Sequence, residues 1–240
     1  MEWTKRTELL LGADGLDKLK HAHVLVVGLG GVGAYAAESL CRAGIGEMTL
    51  VDADCVDDTN RNRQLLALTT TVGRPKTAVM AERLLQINPD IKLHCVQEFL
   101  RDDRTIELLK EADYQYVVDA IDTLSPKVFL LFHAVQQGLR VVSAMGAGGK
   151  LDPTQVQVTD IAKSYHCRLA HIVRKYLHRL GVRTGFKAVF SPEPVREGSV
   201  CIESTTETNK LSTVGTISYM PAIFGLVAAS VVIRDLMDEQ

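Results

Sequence analysis

A doubly wound, mainly parallel α/β sheet is the fold class this sequence predicts. Three observations predict it. Short apolar runs alternate with helix-patterned stretches over residues 23–143. A glycine-rich turn follows the first run directly. Acidic residues stand where the second and fourth runs end, the edge at which open α/β sheets hold their ligands.

The elements follow in order. Residues 23–27, His-Val-Leu-Val-Val, form an apolar run stopped by glycine, the pattern of a strand buried on both faces. Residues 34–43 read as a helix closed by Gly44. Residues 48–51 give a second strand that ends at Asp52. A helix over 76–87 stops at Asn88-Pro89, because proline pushes the residue before it out of helical geometry. Strands are expected at 91–96, 116–120 and 140–143, and helices at 105–110 and 126–137. A further strand is expected at 156–159. Residues 161–192 then hold seven Lys or Arg and no Asp or Glu, which reads as a basic insertion. Together with the polar, loop-like stretch 198–213 it forms a crossover segment, 161–213. Residues 214–233 are nearly free of charge and reach about the 20 residues that a membrane span needs. They contain Pro221 and Gly225 and follow an α/β pattern, so a buried C-terminal helix or a dimer interface is expected, with no membrane insertion.

The chain has 240 residues, long for one α/β domain and short for two, so one domain over 1–240 is expected. Hydrophobic residues make up 46% and charged residues 23%, which excludes global disorder. A net charge of −2 excludes a polybasic protein but leaves room for a local basic patch. None of the five cysteines sits in a C-x-x-C pair, so no zinc clip is offered. Such cysteines read as reduced thiols in a cytoplasmic protein. Residues 1–6 carry no apolar run, so a secretory signal is not expected.

The turn is Gly28-Leu29-Gly30-Gly31-Val32-Gly33, after a strand and opening a helix. Gly28 permits the tight turn, Gly30 the approach of a phosphate, and Gly33 close packing of helix on strand. The motif alone does not choose between NAD, FAD and ATP. Asp52, about 20 residues on, stands where an acid accepts hydrogen bonds from ribose hydroxyls. Arg63 and Lys76 break the tie. A redox site has no need of them, whereas a triphosphate needs its negative charges neutralised. Asp122 closes the fourth strand region, where it could hold Mg²⁺ on the phosphates.

As a set these residues resemble the ubiquitin-activating-type (ThiF-like) adenylating enzymes, whose fold is Rossmann-like. The matching positions are Arg6 before a Leu-rich helix, Gly28 to Gly33 with Gly31 included, Asp52 and Asp54, Asn60 with Arg63 and Gln64, Lys76, and Asp119 with Asp122. The resemblance implies ATP as ligand, with Asp52 and Asp54 on the ribose side. It implies phosphate contacts from Asn60, Arg63, Gln64 and Lys76, and Mg²⁺ or phosphate-end placement by Asp122. It also implies a homodimer in which Arg6 reaches the other chain's site, and a structural Na⁺ or K⁺. The catalytic candidates are Arg6, Arg63, Lys76 and Asp122.

The activated carboxylate follows from the second half. Activators of ubiquitin-like sulfur carriers usually hold zinc with two C-x-x-C pairs, which are missing here. Residues 146–155, 158–163 and 198–201 instead resemble the branch that dehydrates threonylcarbamoyladenosine in tRNA, with a sulfur-relay protein as a further possible partner. Lys163, Arg168, Arg174, Lys175, Arg179, Arg183 and Lys187 are then candidates for tRNA phosphates, and Tyr165 and Tyr176 for base stacking. The competing reading of this stretch is an amphipathic helix that buries Leu169, Ile172, Val173, Leu177 and Leu180. Both hold together, because an RNA-binding helix still needs a buried side. Cys167 and Cys201 are thioester candidates, although a lone cysteine is more often a small buried residue. His166, His171 and His178 fall at no metal-ligand spacing and stay with the basic face.

Overall fold

The structure, a computed structural model, describes residues 2–202 and 212–238. α1 (Lys5–His21), an element only the resemblance implied, breaks its helical geometry at Gly12. Then come β1 (His23–Val27), α2 (Gly33–Ala43), β2 (Glu47–Val51), α3 (Lys76–Ile87) and β3 (Lys92–Val96). α4 (Asp102–Leu108), β4 (Tyr116–Asp119), α5 (Leu124–Gln136) and β5 (Val141–Ala144) follow. These elements match the expected ones within three residues at either end. The second half adds β6 (Gln157–Asp160), α6 (Arg168–Arg179), β7 (Lys187–Phe190), the short hairpin β8 (Val200–Ile202) and β9 (Ser212–Val214), and α7 (Tyr219–Met237). The loop expected over 198–213 therefore contains strand at both ends, and its middle lies outside the described residues.

The main sheet has seven strands in the order β3-β2-β1-β4-β5-β7-β6, all parallel except β6 at its edge. The chain winds outward from β1 in one direction and from β4 in the other. The carboxyl ends of β1 and β4 therefore flank a topological switch point, where open sheets leave a crevice. One face buries Val24, Val26, Met48, Leu50 and Val118 under α2, α3 and α7. The other buries Leu25, Val27, Val51 and Val117 among the residues of α4, α5 and α6. Strands covered on both sides have no polar face to show, which is why β1 reads as an unbroken apolar run.

β7 was hidden inside the stretch expected to be a basic insertion. Ala188, Val189 and Phe190 are fully buried between β5 and β6, and burying a side chain such as Phe190 contributes about 1.5–3 kcal/mol. α6 buries Ala170, Val173 and Leu177, spaced i, i+3, i+7. Leu169 and Ile172 are half-buried, and Leu180, expected inside, is exposed. The segment thus completes the sheet as well as presenting charge.

α7 is, among the described residues, the one helix long and apolar enough to cross a membrane. It packs lengthwise on α2, with Met220, Phe224, Ala228, Ala229, Val231 and Val232 buried within its own chain. A methyl at Gly225 would lie 2.3 Å from the Val32 carbonyl oxygen, so only glycine permits this approach. Of the two expectations for this segment, the buried C-terminal helix is the one seen. The chain's own core covers most of it, and Leu226 stands out as exposed on the outer face.

Candidate nucleotide site

The turn between β1 and α2 is shaped by what its glycines lack. Gly28 has φ 90°, and a methyl there would lie 2.7 Å from the Ala120 carbonyl oxygen. A methyl on Gly33 would lie 1.7 Å from the Gly28 carbonyl oxygen, so the helix could not start where it does. Gly30 is different. Its nearest neighbour would be the Gln64 amide nitrogen at 3.8 Å, which leaves this stretch of backbone open to an approaching group. Gly31 backs onto Pro221 of α7.

Asp52 follows β2 and ties two turns together. Its carboxylate accepts the Leu29 N–H at 2.6 Å and the Asp54 N–H at 2.8 Å. Burial pushes its pKa up, and the Lys76 ammonium and the two backbone N–H groups pull against that rise. Lys76 opens α3 and is 4% exposed. It is brought there by a short antiparallel pairing in which Val56 N–H donates to the Arg74 carbonyl and Lys76 N–H to the Asp54 carbonyl. Its Nζ lies 2.8 Å from Asp54 and 3.8 Å from Asp52. The Asp54 side chain is 70% exposed, so an incoming phosphate can take its place on Nζ at little cost.

The loop between them is ordered by its own polar groups. Asp57 caps the short turn Asp58–Asn60, and the Asn60 side-chain amide oxygen Oδ1 accepts the Asp57 N–H at 3.2 Å in return. Asn60 therefore commits its oxygen to the backbone, and its amide N–H groups are the part suited to phosphate. Half-buried Arg63 donates to the Thr59 carbonyl at 3.0 Å and to Asn62 at 2.8 Å. Asn62 donates to the Thr216 carbonyl at 3.0 Å, which ties the loop to the strand-to-α7 connection.

Behind Asp122 lies an ion pair that the sequence reading missed. Lys127 and Asp119 are both fully buried, 2.7 Å apart. Asp119 also accepts from Ser143 Oγ at 2.6 Å and from the Ile121 N–H at 3.1 Å, while Lys127 donates to the Ile121 carbonyl at 3.0 Å. The loop is thus clamped at Ile121 from both sides, and Asp122 is presented next to it, exposed, at the carboxyl end of β4. The available signal was Lys127 as the one Lys, Arg, Asp or Glu in the helix 124–136. We expect Lys127→Met to cost about 3–5 kcal/mol, because it leaves Asp119 buried and unpaired. The double variant Lys127→Met with Asp119→Asn should recover much of that loss in urea unfolding. Equal stability of the two variants would show that the pair is not coupled.

α6 begins on the same side of the sheet. Leu169, in its first turn, lies against Gly146, just beyond the carboxyl end of β5. Lys163, Arg168, Lys175, Arg179 and Arg183 are exposed, as are Tyr165 and Tyr176, and the Arg179 guanidinium lies 5.5 Å above the Tyr176 ring. Two of the basic candidates have partners within the chain. Arg174 donates to the Ser164 carbonyl at 2.8 Å, and Lys187 on β7 pairs with Asp235 at 2.5 Å. Cys167 is buried and Cys201 exposed.

Arg6 is exposed in the first turn of α1. Trp3, three residues earlier, lines a cleft with Arg42, Arg83 and Ile87, at the carboxyl ends of α2 and α3. The glycine turn is at the opposite end of α2.

The ThiF family model matches residues 5–240. The tRNA threonylcarbamoyladenosine dehydratase of Escherichia coli (strain K12) is 40% identical over 254 residues, covering 98% of this chain and 94% of the relative. The dehydratase of the same name from Bacillus subtilis (strain 168) is 37% identical over 241 residues, again covering 98% and 94%. The crystal structure of the E. coli tRNA N6-threonylcarbamoyladenosine dehydratase in complex with ATP superposes with a TM-score of 0.89 at 38% identity, covering 98% of this chain and 94% of that one. The glycine turn, the acid after β2, the lysine opening α3 and a match spanning nearly the whole chain lead to one assignment: the chain belongs to the ThiF family.

Proposed function

We propose that this chain is an ATP-dependent enzyme that adenylates the carboxylate of N6-threonylcarbamoyladenosine in tRNA and then cyclises it, releasing pyrophosphate and AMP. The observation that carries this reading is a juxtaposition at one end of the sheet. The open Gly30 backbone, Asp52 and Lys76 stand there together with the start of the basic helix α6.

The chemistry needs activation because a carboxylate would have to expel oxide. Its oxygen attacks the α-phosphorus of ATP, the bond to the β-phosphate oxygen breaks, and pyrophosphate leaves. A nitrogen of the same substituent then attacks the acyl carbon, and the bond to the AMP oxygen breaks. That second step is intramolecular, where effective molarity is very high, so no protein nucleophile is required. Asp52 takes the ribose hydroxyls, with Asp54 beside it. The Gly28–Gly33 backbone, Asn60, Arg63, Gln64 and Lys76 hold the phosphates. Mg²⁺, a hard cation that favours carboxylate oxygen, suits Asp122 at the clamped β4 loop and would neutralise phosphate charge. The monovalent cation implied by the resemblance enters no step. Exposed Lys163, Arg168, Lys175, Arg179 and Arg183 suit tRNA phosphates, while Arg174 and Lys187 would first have to leave Ser164 and Asp235. The cytoplasm, a compartment that holds tRNA, is the proposed site of action.

The chain works as one adenylating unit over residues 1–240, with 161–213 as its substrate-binding segment, and as a homodimer. Support for the dimer comes from Arg6, remote from its own glycine turn, and from Leu9 and Leu10, 76% and 82% exposed side by side on α1. The deciding experiment is nucleoside mass spectrometry of threonylcarbamoylated tRNA after incubation with the protein and ATP. The expected result is an adenosine derivative lighter by one water, with AMP formed in equal amount. AMP formation that needs a ubiquitin-like carrier protein instead of tRNA would replace this reading with sulfur-carrier activation.

A further inference from the structure

At the other end of the sheet, three side chains with metal-ligand chemistry meet. His23 and Glu47 open β1 and β2 as register partners, and His94 lies on β3 opposite Thr49. One ring nitrogen from each histidine and one Glu47 carboxylate oxygen all lie within 4.8 Å of one another. His94 Nε2 is 2.8 Å from Glu47 Oε1, and His23 Nδ1 is 3.5 Å from the same oxygen.

The surroundings set what these atoms can do. His23 is buried, its other nitrogen lies 2.9 Å from Thr49 Oγ1, and the Thr49 hydroxyl is also hydrogen-bonded to Tyr114. In the tautomer whose Nε2–H donates to Thr49, the Nδ1 lone pair is turned toward Glu47. A cation placed between Nδ1 and the Glu47 carboxylate oxygen, 3.5 Å apart, would be bound by both. The Tyr114 ring stands edge-on at 4.8 Å and walls one side. His94 is 55% exposed, so it can turn to close the site.

We propose that His23, Glu47 and His94 form a binding site for a divalent transition-metal ion, Zn²⁺ by the character of its donors. Two imidazoles and one carboxylate are the ligand classes that zinc takes in three-ligand sites, leaving the fourth position to water. Metal–ligand bonds of 2.0–2.2 Å set tetrahedral ligand atoms about 3.4 Å apart. The two distances to Glu47 already bracket that value. Thr49 would act as the outer partner that fixes the His23 tautomer. The site lies about 13 Å along β1 from the glycine turn, so it stabilises this end of the sheet and takes no part in adenylation.

Calorimetric titration of the full chain with Zn²⁺ should show one equivalent bound, unaffected by a large excess of Mg²⁺. His94→Ala and Glu47→Gln should each weaken that binding by about 10–100-fold, and Thr49→Val by about tenfold. Zn²⁺ near a hundredfold excess over its Kd should raise Tm by roughly 5 °C or more in the parent and not in His94→Ala. Co²⁺ provides the check on the exposed cysteines, since a thiolate site gives intense charge-transfer absorption and a histidine–carboxylate site does not. Absence of one-equivalent binding, binding unchanged in His94→Ala, or a thiolate band would each overturn the assignment.

Discussion

Lys76→Ala is expected to slow ATP-dependent AMP release by roughly 10²–10³-fold, the usual effect of removing one preorganised donor from developing oxyanion charge. The fold should survive the change. Asp54 is exposed and needs no partner, and Asp52 keeps the Leu29 and Asp54 N–H groups. Tm should therefore move by no more than roughly 4 °C. The division between kcat and KM reports what Lys76 does. A rise in KM alone would mean that it holds ATP equally in ground and transition states, whereas an equal fall in kcat and kcat/KM would place its effect in the transition state. Asp54→Ala frees Nζ without removing it, so comparing the two variants separates loss of the lysine charge from loss of the ion pair. Near-normal turnover in Lys76→Ala would refute the phosphate role and leave the lysine as a strut between two loops. Cys167→Ser and Cys201→Ser should retain AMP release, because the second step uses a nitrogen of the substrate.

How much of this was readable without coordinates depended on whether a residue's fate is local. β1, the glycine turn and Asp52 were legible because each is dictated by its neighbours: a run buried on both faces, a turn with no room for side chains, an acid at the strand end. β7 was not, because four residues, Lys-Ala-Val-Phe, carry too little periodicity against a basic background. What makes them a strand is the slot between β5 and β6, set by distant parts of the chain. Lys127 was missed for a related reason. A lone lysine defaults to solvent, and only the turn between β4 and α5, which folds it back onto Asp119, makes its burial tolerable. α7 was ambiguous by composition, since core, interface and membrane all accept an apolar helix, and packing on α2 decides it. The grouping of His23, Glu47 and His94 arises from strand register across 72 residues of chain and leaves no spacing to find.

Mixing Arg6→Ala chains with Lys76→Ala chains is expected to restore activity that neither has alone. The argument starts from position. Arg6 sits in the first turns of α1, near the Trp3 cleft at the carboxyl ends of α2 and α3, whereas the nucleotide turn opens α2 at its other end. In its own chain Arg6 is therefore badly placed for phosphate. An isologous dimer removes the difficulty, because each α1 can then project toward the partner's site. The exposed Leu9 and Leu10 next to Arg6 supply the apolar surface that such a contact would cover. Each single variant should lose roughly 10²-fold or more in AMP release. After subunit exchange at equal concentration, half of the dimers are mixed, and each holds one site with both residues intact and one with neither. Activity should then recover to roughly a quarter of the parent value per chain. Exchange itself can be followed independently with differently tagged chains. If exchange is complete and the mixture is no more active than its components, Arg6 acts within its own chain or not at all, and the dimer loses its catalytic reason.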